Sequence, residues 1–285
     1  MSLFGLALVL AAAVCHATWN VFVKRINGGA ELIWLFSALA LLLYLPVAAW
    51  VMIVQRPHLG ATELAFIAGS VVLHLAYFAL LQAGYQRGDL SVVYPTARAT
   101  GPVLSSAFAV LMLDEVITPR MGLGAAIIVI GVLMLTGGGR GTGQRLGASL
   151  GFGLAVGALI GSYTAWDAYA VSVVLIPPLL LDYVSTLGRV VLLTPVALRR
   201  RALVARQWRD HRWGVIAIAL FSPLAYILVL YALTFTPVAY VAPMREVSVV
   251  LVVIAGSLFL AEGHLRQRLT WAAVILAGMV ILATA

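Results

Sequence analysis

The stretch that decides the fold is ELIWLFSALALLLYLPVAAWVMIV, residues 31–54, in which no charged residue follows Glu31. A helix over this stretch is long enough to cross a bilayer, whose hydrocarbon core takes about 20 apolar residues. The rest of the chain has the same character, because 63% of its 285 residues are hydrophobic and 10% are charged. Soluble domains carry about 25% charged residues. This composition excludes an ordinary soluble globule, and it excludes a disordered chain, which would be polar and highly charged.

Similar apolar runs recur along the whole chain, separated by short gaps that carry glycine, proline or charge. The predicted spans are residues 3–24, 31–54, 64–86, 91–113, 121–138, 147–168, 175–198, 213–234, 238–260 and 269–284. No gap is long enough for a soluble domain. The predicted fold class is therefore an all-α integral membrane protein with ten transmembrane helices, and we expect it in the cytoplasmic (inner) membrane.

The chain repeats itself at an offset of 147 residues, at which several scarce residues meet a residue of the same type. The coinciding pairs are Trp19 with Trp166, Arg98 with Arg245, Glu115 with Glu262 and Gly131 with Gly278. We therefore predict a first five-helix repeat over residues 1–140 and a second over residues 141–285. Because five is odd, the second copy enters the membrane upside down. Two inverted-topology repeats around a central cavity are typical of secondary transporters.

The positive charge of the chain also has a pattern. The formal net charge is +8, and most Lys and Arg residues outside the spans follow odd-numbered helices, including the run from Arg199 to Arg212. The positive-inside rule places those loops in the cytoplasm and both termini outside. Orientation in the bilayer explains this charge better than nucleic-acid binding does, since no nucleic-acid-binding motif is present. With Cys15 as the single cysteine, we expect no disulfide, no metal site and no other cofactor.

Helices 1 and 6 carry matching polar faces inside the membrane. The residues are His16, Trp19 and Asn20 on helix 1 and Tyr163, Trp166 and Asp167 at the corresponding positions of helix 6. Spacings of three and four residues put each set on one helix face. Polar side chains at this depth usually face a cavity or a partner. The functional interpretation is a substrate pocket with His16 and Asp167 as a titratable pair, and the alternative is polar contact between helices.

Helices 4 and 9 each combine an arginine with a proline. The residues are Tyr94, Arg98 and Pro102 on helix 4 and Pro243, Arg245 and Glu246 on helix 9. A proline removes a backbone hydrogen bond, and at membrane depth such a break survives only where it is buried or lines water. One arginine could bind a substrate carboxylate through a bidentate contact. The other would be neutralised internally, with Arg245 paired to Glu246 or Asp167; alternatively, both arginines are structural.

The remaining polar positions are assigned less specific roles. Helix 3 carries an aromatic stripe that includes His74 and Tyr77, which is either packing or pocket, and His74 can titrate near neutral pH. The candidates for proton coupling are therefore His16, His74 and Asp167. On helix 7, Asp182 and Arg189 are interpreted as a local structural ion pair. Capping or interface roles are predicted for Glu115 and Glu262.

Several motifs resemble the drug/metabolite transporter superfamily, in particular its ten-helix EamA-type branch. They are HATWN at residues 16–20, GDLSVVYPTAR at residues 88–98 and VAPMRE at residues 241–246. The resemblance implies a basket of helices around a cavity formed mainly by helices 1, 3, 4, 6, 8 and 9. It also implies the export or exchange of small metabolites, often amino acids, and cytoplasmic termini, opposite to the charge count.

The leading functional hypothesis is a secondary active transporter of a small zwitterionic or anionic metabolite such as an amino acid. It would work by alternating access and could be coupled to protons. The residues predicted to contact substrate are His16, Trp19, Asn20, His74, Tyr77, Tyr94, Arg98, Tyr163, Trp166, Asp167, Arg245 and Glu246. The alternatives are an exporter of hydrophobic cations or drugs and a non-transporting receptor or scaffold. An enzyme is not expected, and neither an ATP-binding GxxxxGK[ST] run nor an HExxH pair is present.

Overall fold

The computed structural model of the chain describes residues 2–26, 28–87, 90–136, 146–251 and 265–285, and all regular secondary structure within them is helical. The helices are α1 (Leu3–Ile26), α2 (Ala30–Gln55), α3 (Ala61–Arg87), α4 (Leu90–Met112), α5 (Pro119–Thr136), α6 (Leu146–Ser172), α7 (Pro178–Arg199), α8 (Arg201–Leu233), α9 (Val238–Met244) and α10 (Leu265–Ala283). Residues 247–251 are helical again after a two-residue turn. Glu262 and the end of the predicted span 238–260 lie outside the described residues.

Most of the described helices are apolar, and six of them have the length of membrane spans. Among the described residues, α1, α2, α3, α6, α7 and α8 are long and apolar enough to cross a bilayer, and α5 and α10 are shorter apolar helices. Large apolar side chains such as Leu42 and Ile53 are 68% and 70% exposed on the outer surface. Exposure of this extent is costly in water but favourable against lipid. The prediction of an all-helical integral membrane protein is confirmed.

One predicted loop is helical. The run from Arg199 to Arg212 was expected to be irregular because of its charge, but α8 begins at Arg201 and continues to Leu233. The segment contains Ala, Leu, Arg and Gln, which favour helices, and neither Gly nor Pro. Non-helical dihedral angles at His211 (φ −134°, ψ 24°) separate this basic part from the apolar part of α8. The Arg200 guanidinium, 3.1 Å from the Glu31 carboxylate, links the start of the basic part to α2.

Helices at matching positions of the two repeats pack against each other in opposite directions. A Cβ atom added to Gly131 of α5 would lie 2.6 Å from the Ile275 side chain, and one added to Gly278 of α10 would lie 2.9 Å from the Ile128 side chain. Ile128 and Ile275 are themselves separated by the 147-residue offset. The contact is therefore reciprocal, and α5 and α10 run antiparallel.

The helices α2 and α7 are paired in the same sense. Near the start of α2, Trp34 Nε1 donates to Thr194 Oγ1 near the end of α7, at 3.0 Å. Further along α2, the Leu41 carbonyl accepts from the Tyr183 hydroxyl near the start of α7, at 3.2 Å. These two bonds lie in reverse order along the two helices, so α2 and α7 are also antiparallel.

A packed apolar cluster occupies one end of the bundle. It combines the first half of α1 with the last parts of α6 and α8 and the beginning of α9. Representative members are Val9 and Ala13 of α1, Val171 of α6, Leu230 of α8 and Val241 of α9, all of them at most 3% exposed. The described apolar side chains at this end of the bundle are closely packed, and some of them, including Val9 and Ala13, also form the wall of the cavity described below.

Glu115 supports the helix at this end. Its carboxylate oxygens accept hydrogen bonds from the backbone N–H groups of Val238 (2.6 Å) and Ala239 (2.9 Å). These are the first residues of α9, whose N–H groups have no partner within the helix. Pro237, which precedes them, offers no side-chain cap. The predicted capping role of Glu115 is confirmed, and it joins the loop after α4 to α9.

Candidate functional site

A cavity of about 410 Å³ lies between the helices. This volume is within the range of small-molecule sites, about 300–1,000 Å³. Most of the predicted site residues line it, namely His16, Trp19, Asn20, His74, Tyr77, Tyr94, Arg98, Tyr163 and Arg245. Trp166, Asp167 and Glu246 do not line the cavity but lie behind its wall. Among the residues that the structure describes, no group of three His, Cys, Asp or Glu side chains could hold a metal ion.

Asp167 forms a buried hydrogen-bonded cluster with His74 and Tyr226. His74 Nε2 lies 2.9 Å from Asp167 Oδ2, and the Tyr226 hydroxyl donates to the same oxygen. Asp167 is fully buried, whereas His74 and Tyr226 both reach the cavity. The His74 ring also stacks on Tyr163 at a centroid distance of 4.3 Å. The Asp167 carboxylate, which lies behind the cavity wall, thus binds two polar side chains that form part of the wall, His74 and Tyr226.

His16 and Asp167, the predicted titratable pair, are not in contact with each other in the described structure. The helices α3 and α8 both pack against α6, so His74 and Tyr226 reach the Asp167 carboxylate. The His16 ring instead packs edge-on against Trp19 at a centroid distance of 5.0 Å. Because the offset between the repeats aligns His16 with Tyr163, it indicated equivalent positions and not contact partners.

Arg98 is paired across the cavity wall with Glu246. Arg98 Nε lies 3.2 Å from Glu246 Oε2, and Arg98 Nη2 donates to Ser248 Oγ at 3.3 Å. This corrects the prediction that Glu246 or Asp167 neutralises Arg245. Arg245 stands 5.8 Å from the ring centroid of Tyr226, an attractive cation–π arrangement. Adjacent residues do not share a helix face, so Arg245 faces the cavity while Glu246 faces α4.

The backbone is interrupted where these charged residues meet. The helix α9 ends at Met244, Arg245 and Glu246 form a turn, and helix resumes at residue 247. The Glu246 N–H bonds to the Pro243 carbonyl three residues earlier at 3.0 Å, which is a tighter turn than the four-residue spacing of an α-helix. Irregular backbone of this kind occurs at membrane depth where it lines a cavity. In contrast, α4 continues as a helix through Pro102.

Trp166 lies in the contact between α3 and α6. Its Nε1 donates to the Phe66 carbonyl at 2.8 Å, and its ring stacks on Phe66 at 4.5 Å. A Cβ atom at Gly69 would lie only 2.4 Å from the ring. The predicted substrate contact is replaced by a packing role.

Sequence analysis missed a polar stripe on α7. It consists of Asp182, Ser185, Thr186 and Arg189, all of which line the cavity together with Tyr226 of α8. The two charged members were predicted to form an ion pair, but no ion pair within 4.0 Å joins them in the described structure. Their spacing of three, four and seven residues marks one helix face and was the available signal. It was set aside because the corresponding α2 positions, Leu35 and Leu42, are apolar.

The fold and the cavity define an integral membrane protein with a largely apolar chamber between its helices, into which several charged and polar side chains point. The model of the EamA-like transporter family matches the chain twice, over residues 3–137 and 147–285. The chain therefore belongs to the EamA-like transporter family, as the sequence motifs indicated, and it is a membrane transporter with a small-molecule substrate. A solved crystal structure is similar in fold, with a TM-score of 0.71 at 13% sequence identity over 98% of this chain and 96% of the other.

Proposed function

We propose that the protein is a secondary active transporter of a small zwitterionic metabolite such as an amino acid, which it moves by alternating access without converting it chemically. The observation that carries this proposal is a charged cavity that ends against a packed apolar cluster at one end of the bundle. Such a cavity is accessible from one side at a time, as alternating access requires.

The proposed mechanism uses two inverted five-helix repeats, residues 1–140 and 141–285, with ten spans in total. The double match of the family model supports the division into two repeats. The antiparallel packing of α5 with α10 and of α2 with α7 supports the inversion, since these helices hold equivalent positions in the two repeats. Rocking one repeat against the other would open the closely packed end and close the opposite one.

The open end of the cavity is proposed to face the cytoplasm. The cavity wall extends to Val23 near the end of α1, Ile33 in the first turn of α2 and Tyr94 near the start of α4. These positions adjoin connections after odd-numbered helices, which carry most of the positive charge. Positive loops favour the cytoplasmic side. In this orientation the open end of the cavity faces the cytoplasm, which corresponds to an inward-open state.

This orientation predicts that both termini lie outside the cytoplasm. A reporter that is active only in the cytoplasm, fused to the C-terminus, should be silent, whereas the same reporter inserted after Arg206 should be active. The fusion after Arg206 controls for expression, because α8 is exposed there. The opposite pattern would contradict this orientation and agree with the termini implied by the family resemblance.

The charge balance of the site favours a zwitterion over an anion. Among the described residues, three arginines (Arg98, Arg189 and Arg245) and three carboxylates (Asp167, Asp182 and Glu246) line the cavity or contact its wall residues. These charges cancel when His16 and His74 are neutral. A zwitterion preserves the balance, whereas an anion adds one negative charge in a partly apolar chamber. The drug-exporter alternative is less well supported, because Asp167 is already paired with His74 and Tyr226.

Proton coupling is proposed to act through His74. Its imidazole lies at the cavity wall, with Nε2 2.9 Å from the buried Asp167 carboxylate. No carboxylate lies within 4.0 Å of His16 among the described residues, so His16 is the weaker candidate. Substrate and proton would share Tyr226, which donates to Asp167 and lies beneath Arg245.

Transport in proteoliposomes tests this function. An imposed pH gradient should drive accumulation of neutral amino acids but not of matched anions or organic cations. In His74→Gln, we expect gradient-driven accumulation to fall at least about tenfold, since a neutral amide cannot take up the proton, while exchange without a gradient persists. The control is His211→Gln, at the exposed break in α8. Flux of organic cations alone would favour drug export, and binding without flux would favour a receptor.

A further inference from the structure

Asp182 is a buried carboxylate that faces the cavity. The residue is 7% exposed and belongs to the cavity wall. The other buried carboxylates that the structure describes are each held by a partner: Glu31 by Arg200, Asp167 by His74 and Glu246 by Arg98. In the same part of the chain, neither an ion pair within 4.0 Å nor a hydrogen bond involves the Asp182 carboxylate. A buried carboxylate without a partner is costly, so this position fits a cationic group of a ligand.

Arg189 interacts with the Asp182 carboxylate at longer range. It lies seven residues further along α7, about 10.5 Å of helical rise, and it forms no ion pair with Asp182 within 4.0 Å in the described structure. A cation in direct contact with Asp182 would therefore come from the cavity, whose wall Asp182 forms.

The surroundings of Asp182 suit a primary ammonium group. Ser185 and Thr186 lie one helical turn away on the same cavity-facing stripe. A carboxylate and two hydroxyl oxygens can accept the three N–H bonds of a primary ammonium, whereas a quaternary ammonium has no N–H to donate. The neighbouring wall contains the apolar residues Ala40, Pro223 and Ile227. Its tyrosine hydroxyls, of Tyr44 and Tyr183, already donate to backbone carbonyls.

Arg245 supplies the complementary charge in the same cavity. It lies over the Tyr226 ring, and no carboxylate of the described residues is within 4.0 Å of it. Arg98, its counterpart in the first repeat, is already occupied by Glu246. Because the α2 counterpart of Asp182 is Leu35, α7 contributes an acidic group to the described cavity wall where α2 contributes an apolar one. The two halves of the cavity are therefore chemically different, although the helices are related.

We propose that Asp182 accepts the ammonium group of a zwitterionic substrate whose carboxylate binds Arg245, so that Asp182 makes the substrate's amine essential for binding. This inference rests on the proposed transport of zwitterions. It identifies Asp182 as the residue that distinguishes a zwitterion from the corresponding anion. It predicts that an amino acid binds while its deaminated acid and its decarboxylated amine bind at least about tenfold more weakly, the loss expected for one charge-assisted hydrogen bond.

The test measures ligand-induced shifts in melting temperature of the full-length protein in detergent, since ligands that bind the native state raise it. The twenty proteinogenic amino acids are screened first. Each one that binds is then compared with its deaminated and decarboxylated analogues, for leucine 4-methylpentanoate and 3-methylbutylamine. In Asp182→Asn, the amino acid should bind at least about tenfold more weakly, while affinity for the deaminated acid is unchanged or higher. Asp182→Glu, which keeps the charge, should retain the preference for the amine.

Asp210→Asn is the matched control, because Asp210 lies on the exposed basic part of α8, and it should bind like the unmodified protein. Equal affinity of the unmodified protein for an amino acid and its deaminated acid would overturn the assignment without any variant. Undiminished amino-acid binding by Asp182→Asn would also overturn it, and the proposed transport function would survive. Absence of binding by every amino acid would instead remove the zwitterion hypothesis and this inference with it.

Discussion

Glu246→Gln alone, or Arg98→Met alone, should lower the free energy of unfolding by about 3–5 kcal/mol, the cost of leaving one member of a buried ion pair uncompensated. The two groups are 3.2 Å apart, and their side chains are 15% and 5% exposed. The pair connects α4 to the turn that follows α9 and contains Glu246. Loss of either member should therefore destabilise the cavity wall as well as the fold.

The double variant Arg98→Met with Glu246→Gln distinguishes this explanation from general damage. Removing both charges removes the unpaired group, so the double variant should be more stable than either single variant. Thermal unfolding in detergent measures all three. The matched control is the exposed pair of Arg206 and Asp210, 3.5 Å apart on α8, whose removal should change stability by less than about 1 kcal/mol. Additive losses in the double variant would contradict the ion-pair explanation.

Gly157→Leu should have the second large effect, because α4 and α6 pack through a row of glycines. The row comprises Gly153, Gly157 and Gly161, spaced four residues apart along one face of α6. A Cβ atom at Gly157 would lie 2.6 Å from Thr100 Cβ and 3.1 Å from the Ala97 carbonyl oxygen. The backbone of α4 would have to move, so a leucine should destabilise the protein by about 3 kcal/mol or more, at the upper end of overpacking effects.

The control for this prediction lies on the same helix. Gly151 of α6 is exposed, and a Cβ atom there would meet nothing within 4 Å. Gly151→Leu should leave stability unchanged or raise it by about 0.5–1 kcal/mol, because leucine is the better helix former. The melting temperature and the monodisperse fraction after purification report the difference. If both leucine variants unfold at the same temperature, the close contact between α4 and α6 is not required.

These glycines illustrate a signal that sequence analysis left unused. Gly153, Gly157 and Gly161 form a small-xxx-small pattern, which in membrane helices marks close contact between backbones. The pattern indicates that α6 has a close neighbour, but it does not identify α4. The polar stripe from Asp182 to Arg189 was similarly visible as a spacing and was given a structural interpretation. In both cases the residue spacing identified the helix face that is in contact. It did not identify the helix on the other side of that contact.

The errors in pairing have the same origin. His16 and Asp167 were interpreted as a titratable pair because they lie on matching polar faces of helices 1 and 6, but the side chains in contact with Asp167 are His74 and Tyr226. Arg245 was paired with its neighbour Glu246, but consecutive residues point in different directions and Glu246 contacts Arg98. An offset between repeats predicts which positions are related. It does not predict which side chains are in contact.

The sequence by itself determined that this is a helical membrane protein, where most spans lie and which polar residues are too costly to face lipid. These properties follow from local composition and helical period, since each span satisfies its own backbone hydrogen bonds. Only the tertiary structure decided that Arg98 is occupied, that Asp182 is left open toward the cavity and that the bundle is closely packed at one end. Those properties depend on distances of 3–4 Å between side chains on different helices, which composition and helical period do not encode.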